Sequence, residues 1–427
     1  MITLDRTIAP PSKKIEHINI LKSEKIILDN HNPLYSIQAG EQPVFRLEVI
    51  FEAGGRKETQ NGMSLFTSKM LTEGTTKHKT IQISEFFDQY GAFLEISQTA
   101  DRFSIMVYGL TEHFSNFLPI LCEMITDSII PPKELERQKK IAVQNLKVNL
   151  EKTSFLAGQI FREQLYGKNH PYGRSLTLDA IENIQQNNIL DFYTQNLQKS
   201  PFKVFLSGSF GTDEIALVNQ FLGKIVIKNN VTTDNLFNFL DRKAINTLVE
   251  KPQNIQSSIR LGRVLFNRSN PDFFKFIVAN TLLGGFFGSR LMKNIREDKG
   301  FTYGISSGLV PYRESGYWVI GTDVKKEHTQ QTIDEIRKEI IKLQTELVSD
   351  DELETTKNYM VGAFVGSLNT PFEIADRQKV VILDNLPNNF YEDYIQSILN
   401  VSAEDIMQIS HKYFDFETLH EVVVGGK

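Results

Sequence analysis

A single cysteine, Cys122, is all the thiol that this chain of 427 residues contains. No disulfide can form within it, which favours a reducing compartment. Set among Leu118, Ile120, Leu121 and Ile125, Cys122 reads as a buried small hydrophobe. Long apolar runs are also missing, and none approaches the ~20 residues of a membrane-crossing helix. The opening segment Met1–Pro11 has neither an apolar signal core nor a cleavage motif. Cytoplasmic residence is therefore expected, unless an export leader has been removed. Positive charge is not in excess either. A formal net charge of −5 and an isoelectric point near 6.0 give no long-range attraction for nucleic acid or an anionic membrane. None of the eight histidines has a partner at i, i+4, and no His/Cys/carboxylate cluster has metal-site spacing.

What is present belongs to a soluble, well-packed protein, with 41% hydrophobic and 23% charged residues. The length exceeds one ordinary core and predicts two domains of roughly 200 residues each. Internal repetition agrees. His113 and Ile125 recur as His328 and Ile340 at an offset of 215. Leu135 and Lys139 recur as Leu353 and Lys357 at 218, and Ile181 and Gly208 as Ile398 and Gly425 at 217. The order of features never changes, which is the mark of a duplication. Apolar patterns predict strands at Phe45–Phe51, Phe103–Tyr108 and Tyr317–Gly321, each leading to long helical patterns. Helices are predicted over Ile81–Tyr90, Phe114–Ser128, Pro132–Lys152, Gln331–Leu347 and Ser349–Ser367. Pro131-Pro132 and Ser349-Asp350-Asp351 supply helix starts. Lys203–Leu206 and Glu421–Val424 read as closing strands. Without strict βαβ alternation the expected class is α+β, with helices packed on antiparallel-rich sheets in two homologous domains. The polar stretch Lys228–Asn238 reads as the linker, dividing the chain into 1–234 and 235–427.

One helical segment, Gly62–Met70, is flanked by Ala53-Gly54-Gly55-Arg56-Lys57-Glu58 and by Glu73-Gly74-Thr75. These flanks resemble those of the zinc-binding helix in the pitrilysin/insulinase peptidases, the family of the mitochondrial processing peptidases. Leu28-Asp29-Asn30 and His170-Pro171-Tyr172-Gly173-Arg174 are similar to other segments of that family. So are Leu283-Gly284-Gly285-Phe286-Phe287-Gly288-Ser289-Arg290-Leu291 and Ile295–Tyr303. Their order and spacing carry the resemblance across nearly the whole chain. It implies two α+β domains forming half of a clam-shell chamber closed by a second chain.

Active members carry His-x-x-Glu-His on that helix, two imidazoles for one zinc and a glutamate to activate its water. In the matching register this chain has Leu65, Ser68 and Lys69. Leu65 has no lone pair, Ser68 is a poor base and Lys69 is a cation. The third family ligand, a glutamate on a later helix, falls at Asn145. No metal is expected on this chain. An ordinary helix that never held metal is the plainer reading of these residues alone. Lys69 has one further reading, as a fixed cation in place of the ion.

The resemblance also implies what is kept. Active members use an arginine and, seven positions on, a tyrosine from the second half to support a zinc site made by the first half. Arg296 and Tyr303 have that spacing. A guanidinium fork grips a carbonyl, and a phenol donates to an oxyanion. The rival reading is a surface ion pair of Arg296 with Glu297 or Asp298 and a tyrosine packed in a sheet. Gly284 and Gly285 are candidate substrate contacts, against a tight turn needing positive φ. His170 reads as a loop residue that satisfies the backbone. Together these imply a non-catalytic subunit whose homologous partner carries the zinc and encloses an unfolded peptide with it. The alternatives are a structural scaffold and a peptide-binding homodimer without hydrolysis.

Overall fold

The computed structural model describes residues 15, 18, 20–228 and 243–427. The Met1–Pro11 segment, nearly all of the expected linker and the boundary near residue 235 lie outside the described residues. On the N-terminal side a six-stranded sheet contains β1 (Glu24–Ile27), β2 (Pro33–Gln38), β3 (Val44–Phe51), β4 (Phe93–Gln98), β5 (Phe103–Leu110) and β6 (Phe202–Gly208). Its spatial order is β1-β2-β6-β3-β5-β4. The second sheet contains β7 (Asn246–Glu250), β8 (Gln256–Leu265), β9 (Thr302–Pro311), β10 (Gly316–Lys325) and β11 (His420–Gly425), ordered β7-β11-β8-β10-β9.

With β1 set aside, the two orders superpose strand for strand. Pairing is antiparallel except at β2–β6 and β7–β11, the equivalent place in each copy. The duplication thus extends to strand direction. Gly208 and Gly425 close the equivalent strands β6 and β11 with φ of +119° and +138°. A Cβ at these positions would lie 2.2 Å from the Val44 carbonyl oxygen and 2.7 Å from that of Gln256, so both copies need glycine.

The helices of the first half are α1 (Met63–Met70), α2 (Thr80–Gln89), α3 (Phe114–Thr126), α4 (Pro132–Glu151), α5 (Thr153–Tyr166), α6 (Leu178–Asn183), α7 (Gln186–Tyr193) and α8 (Thr212–Phe221). The second half has α9 (Phe273–Asn280), α10 (Thr329–Thr345), α11 (Asp350–Gly366), α12 (Pro371–Leu383), α13 (Phe390–Asn400) and α14 (Ala403–Tyr413). The predicted helices agree with these to within one or two residues. Pro132 opens α4, and the Ser349 hydroxyl accepts the Glu352 N–H at 3.3 Å to cap α11. Cys122 is only partly buried against the first core, and burial pushes its thiol up to about 12.

Each sheet packs its own helices on one face and a helix from the opposite half on the other. Phe114, Phe117, Leu118 and Val218 join the first sheet's core, while Ile333, Ile336, Phe276 and Ile406 join the second's. On the second sheet's other face lies α5, whose Phe161, Leu165 and Tyr166 meet Val422 and Val424. On the first sheet's other face lies α12, whose Leu383 meets Ile50 and Phe205. α5 and α12 are themselves equivalent by the repeat, since Thr153 and Pro371 are 218 apart. The exchange is therefore reciprocal. Polar contacts fix α12 in place. Arg46 donates to both Asp376 carboxylate oxygens at 2.9 and 3.1 Å, and Lys379 meets Glu48 at 2.6 Å.

Phe161→Ala should cost about 3–5 kcal/mol, read as one shifted midpoint of denaturant unfolding for the whole chain. Burial would raise the Asp376 carboxyl, but its bonds to Arg46 and Lys379 outweigh that and hold it below its ordinary value. Its contribution is therefore present above the unfolded value of about 4 and is lost as pH falls through the lower folded value. Asp376→Asn should flatten that acid limb in pH-dependent melts.

Candidate functional site

α1 is anchored by Glu58, whose carboxylate accepts the N–H groups of Gly62 and Ser64 at 3.2 and 2.7 Å and meets Arg174 at 2.8 Å. Burial pushes this carboxyl above its ordinary value against the pull of Arg174 and of the two N–H groups. Arg174 also donates to the Gly55 carbonyl, so the Gly54-Gly55-Arg56 and His170–Arg174 segments lock together. His170 accepts the Tyr172 N–H at 3.1 Å and stacks on Tyr166, as a loop residue serving the backbone.

Leu65, Ser68 and Lys69 of α1, with Thr72 just beyond it, line a cavity of about 460 Å³ together with Leu94, Ile96 and Gln98 of β4 and Gln138 of α4. Ser68 is buried and the other two α1 residues are half-buried. The Ser68 hydroxyl donates to the Leu65 carbonyl at 2.7 Å, so it is spent on its own helix. Glu73, one turn beyond Lys69, is held by Arg137 at 2.6 Å and by Gln138. Asn145 is exposed on the same stripe of α4 as Gln138 and Ile141. Zinc does not fit this donor set: an alkyl group, a committed hydroxyl, a cation and an amide. Among the described residues, no group of three or more His, Cys, Asp or Glu is placed to hold a metal ion.

Arg296 and Tyr303 lie on one short segment of the second half. Helical backbone at Arg290 and Leu291 widens into a π-helical turn, Met292–Asp298, that carries Arg296. The Phe301 N–H then returns to the Ile295 carbonyl at 3.0 Å and delivers the chain to the edge strand β9. Between the pairs Thr302–Val324 and Ile305–Thr322, Tyr303 and Gly304 oppose Asp323 alone, which is a β-bulge. The bulge aims Tyr303 outward, and its side chain is 91% exposed. The Arg296 guanidinium lies 4.7 Å over the Phe287 ring and has no carboxylate partner among the described residues. So neither the ion pair with Glu297 or Asp298 nor the sheet-packed tyrosine of the rival reading is seen. The two side chains sit on successive elements, and no hydrogen bond or cation–π contact between them is seen among the described residues.

Tyr303 borders a cavity of about 400 Å³ with Arg260, Ser306 and Asp323. Burial lowers the Arg260 guanidinium against the pull of Asp323, 3.8 Å away. These two residues were missed in the sequence. The signal was the alternation of β8, where Ile259 and Leu261 enter the core and Arg260 takes the opposite face.

The two glycines separate. Gly284 is buried, with a Cβ at its position 2.7 Å from the Ser307 Cβ. Ser307 belongs to a buried network in which its hydroxyl donates to the Asn280 oxygen at 2.6 Å and accepts from the Trp318 indole at 2.7 Å. Neither glycine has a positive φ, so the turn expected to need one is instead a close approach to β9. Gly285 is exposed.

Two duplicated sheets with exchanged helices, a glycine-flanked helix over a cleft and an arginine–tyrosine loop define a two-domain, half-clam-shell α+β fold of the metallopeptidase type. Residues 35–176 match the model of insulinase (peptidase family M16), and residues 183–360 that of the peptidase M16 inactive domain. The chain belongs to the insulinase, or M16, peptidase family. It is 24% identical over 352 residues to the uncharacterized zinc protease YmxG of Bacillus subtilis, covering 81% of this chain and 82% of that one. It is 21% identical over 416 residues to the non-peptidase homolog YmxG of Helicobacter pylori, with 90% of each covered. A solved M16 inactive domain from Pseudomonas fluorescens shares the fold with a TM-score of 0.87 at 22% identity, over 95% of this chain and 99% of that one. A Helicobacter pylori protease does so at 0.87 and 16%, over 95% and 100%. Among the described residues no helix is long and apolar enough to cross a membrane.

Gly284→Val should destabilise the fold by about 1–3 kcal/mol, whereas Gly285→Ala should cost less, because Gly284 abuts β9 and Gly285 faces solvent. Chemical denaturation of the two variants checks the order.

Proposed function

We infer that this chain is the non-catalytic subunit of a heterodimeric zinc peptidase, and that it supports in trans a site whose metal is carried by a homologous partner. One observation carries the reading. The metal-binding side chains are absent from α1, while Tyr303 stands out into solvent and Arg296, stacked on Phe287, has no carboxylate partner among the described residues. A structure that needed these groups for stability would bury the phenol and give the guanidinium a carboxylate. The names of two relatives accord with this: the non-peptidase homolog of Helicobacter pylori and the probable inactive metalloprotease YmfF of Bacillus subtilis, 20% identical over 251 residues.

The partner's zinc would supply an activated water. This chain's part is positional and electrostatic. The Arg296 guanidinium donates its paired N–H groups to a substrate carbonyl or carboxylate. The Tyr303 hydroxyl donates to the oxygen that gains negative charge as the carbonyl becomes tetrahedral. The phenol does not need to ionise for this. An extended, unfolded peptide is the substrate that a half-shell with open sheet edges at β4 and β9 suits, since backbone pairing to an edge strand has little sequence preference. Gly285, exposed at the end of the turn that packs on β9, is the one of the two glycines free to meet such a chain.

In a complex with a partner bearing His-x-x-Glu-His, Arg296→Ala and Tyr303→Phe should each lower kcat by roughly 10²–10³-fold. Their circular dichroism and melting should stay unchanged, because both side chains are outside the core. Undiminished turnover in both variants would remove the trans role and leave the fold assignment standing.

A further inference from the structure

A third cavity lies within the C-terminal half, walled by α9, α11, α12 and α13, with a volume of about 320 Å³. Its lining holds six aromatic side chains, two arginines and no carboxylate. That volume is at the small end of ligand pockets and suits a single ring with a short polar arm. Gly285 and Tyr359 stand at its exposed rim.

The charge inside is unbalanced. Arg268 meets Asp384 at 2.7 Å, but that carboxylate also takes Arg102 at 2.8 Å, so one acid serves two guanidinium groups. Arg377, half-buried on α12, has no carboxylate partner among the described residues. It donates to the Ser367 hydroxyl at 2.8 Å and lies 5.5 Å over the Phe364 ring. Tyr391 and Tyr394 are close enough to feel its charge, yet burial pushes both phenols upward, Tyr394 to about 12. At neutral pH they are uncharged and supply no counter-ion. A guanidinium among aromatic walls gains most from a planar anion taken in bidentate fashion, and the rings gain from an apolar body behind it.

The geometry points to a binding site for an aromatic carboxylate, with the carboxylate on Arg377 and the ring among Phe364, Tyr391, Tyr394 and Phe390. The chemistry is shared by a free aromatic acid and by a peptide ending in an aromatic residue. This site makes no use of Arg296 or Tyr303 and shares with the peptidase reading only its rim residue Gly285.

The test is isothermal titration of the full chain with N-acetyl-phenylalanine, its carboxamide, and a tetrapeptide ending in phenylalanine with a free carboxylate. Saturable one-to-one binding of an acid is expected, with the carboxamide at least about tenfold weaker, as loss of a charge-assisted pair implies. Arg377→Met should weaken the acid by a similar factor and leave the carboxamide unchanged. Ala363→Trp, at an exposed position on the wall of the cavity, should block all ligands without disturbing the core. Acetyl-phenylalanine binding without the tetrapeptide assigns a free small acid, and comparable binding of the tetrapeptide assigns a chain end. Equal affinity for acid and carboxamide, no saturation by either acid, or undiminished binding in both variants would overturn the site.

Discussion

Each sheet of this molecule owes one face to a helix from the other half. α5 seals the second sheet with Phe161 and Tyr166, and α12 seals the first with Leu383 and the Arg46–Asp376 pair. The burial is mutual, so neither half covers both faces of its sheet alone. Everything that faces the cleft hangs from this exchange. α1 is tied through Glu58 and Arg174 to the loop just after α5, and the loop bearing Arg296 feeds the edge of the sheet that α5 covers. Rigid placement of exposed groups needs such a frame, because a side chain held on solvent-facing backbone is only as well aimed as the layer beneath it.

That frame tolerates loss of chemistry at α1. Phe66 and Met70 still fill the interior below the helix, while Leu65, Ser68 and Lys69 line the cavity on its other side and do not join that core. The positions that would hold metal are thus separable from the positions that hold the fold. At β9 the reverse applies. A bulge interrupts regular pairing and turns a large phenol wholly into solvent, a local arrangement with no evident benefit to stability.

Much of the architecture was legible in the sequence because it rests on local pattern. Alternation in Phe45–Phe51 and Phe103–Tyr108, the proline start at Pro132 and the serine cap at Ser349 report what nearby residues do. The recurrence of His113 as His328 and of Gly208 as Gly425 then marked the duplication. Which sheet a given helix covers was not legible. The apolar stripe of α5 demands a partner but does not name one, and its partner strands lie beyond residue 250. The close packing at Gly284 was not legible for the same reason: the group that excludes a side chain is Ser307, on a strand brought back by the fold. Arg260 with Asp323, and the lining of the aromatic cavity from Arg268 to Tyr394, join residues far apart in the chain and carry no spacing signature.

The decisive measurement is zinc content together with peptide hydrolysis, for the purified chain after chelator dialysis and again after mixing with a homologue that carries His-x-x-Glu-His. The account predicts no stoichiometric metal and no turnover for the chain alone, and one zinc per heterodimer with turnover that neither component shows by itself. Stoichiometric zinc in the isolated chain, or hydrolysis by it that matches the mixture, would contradict it.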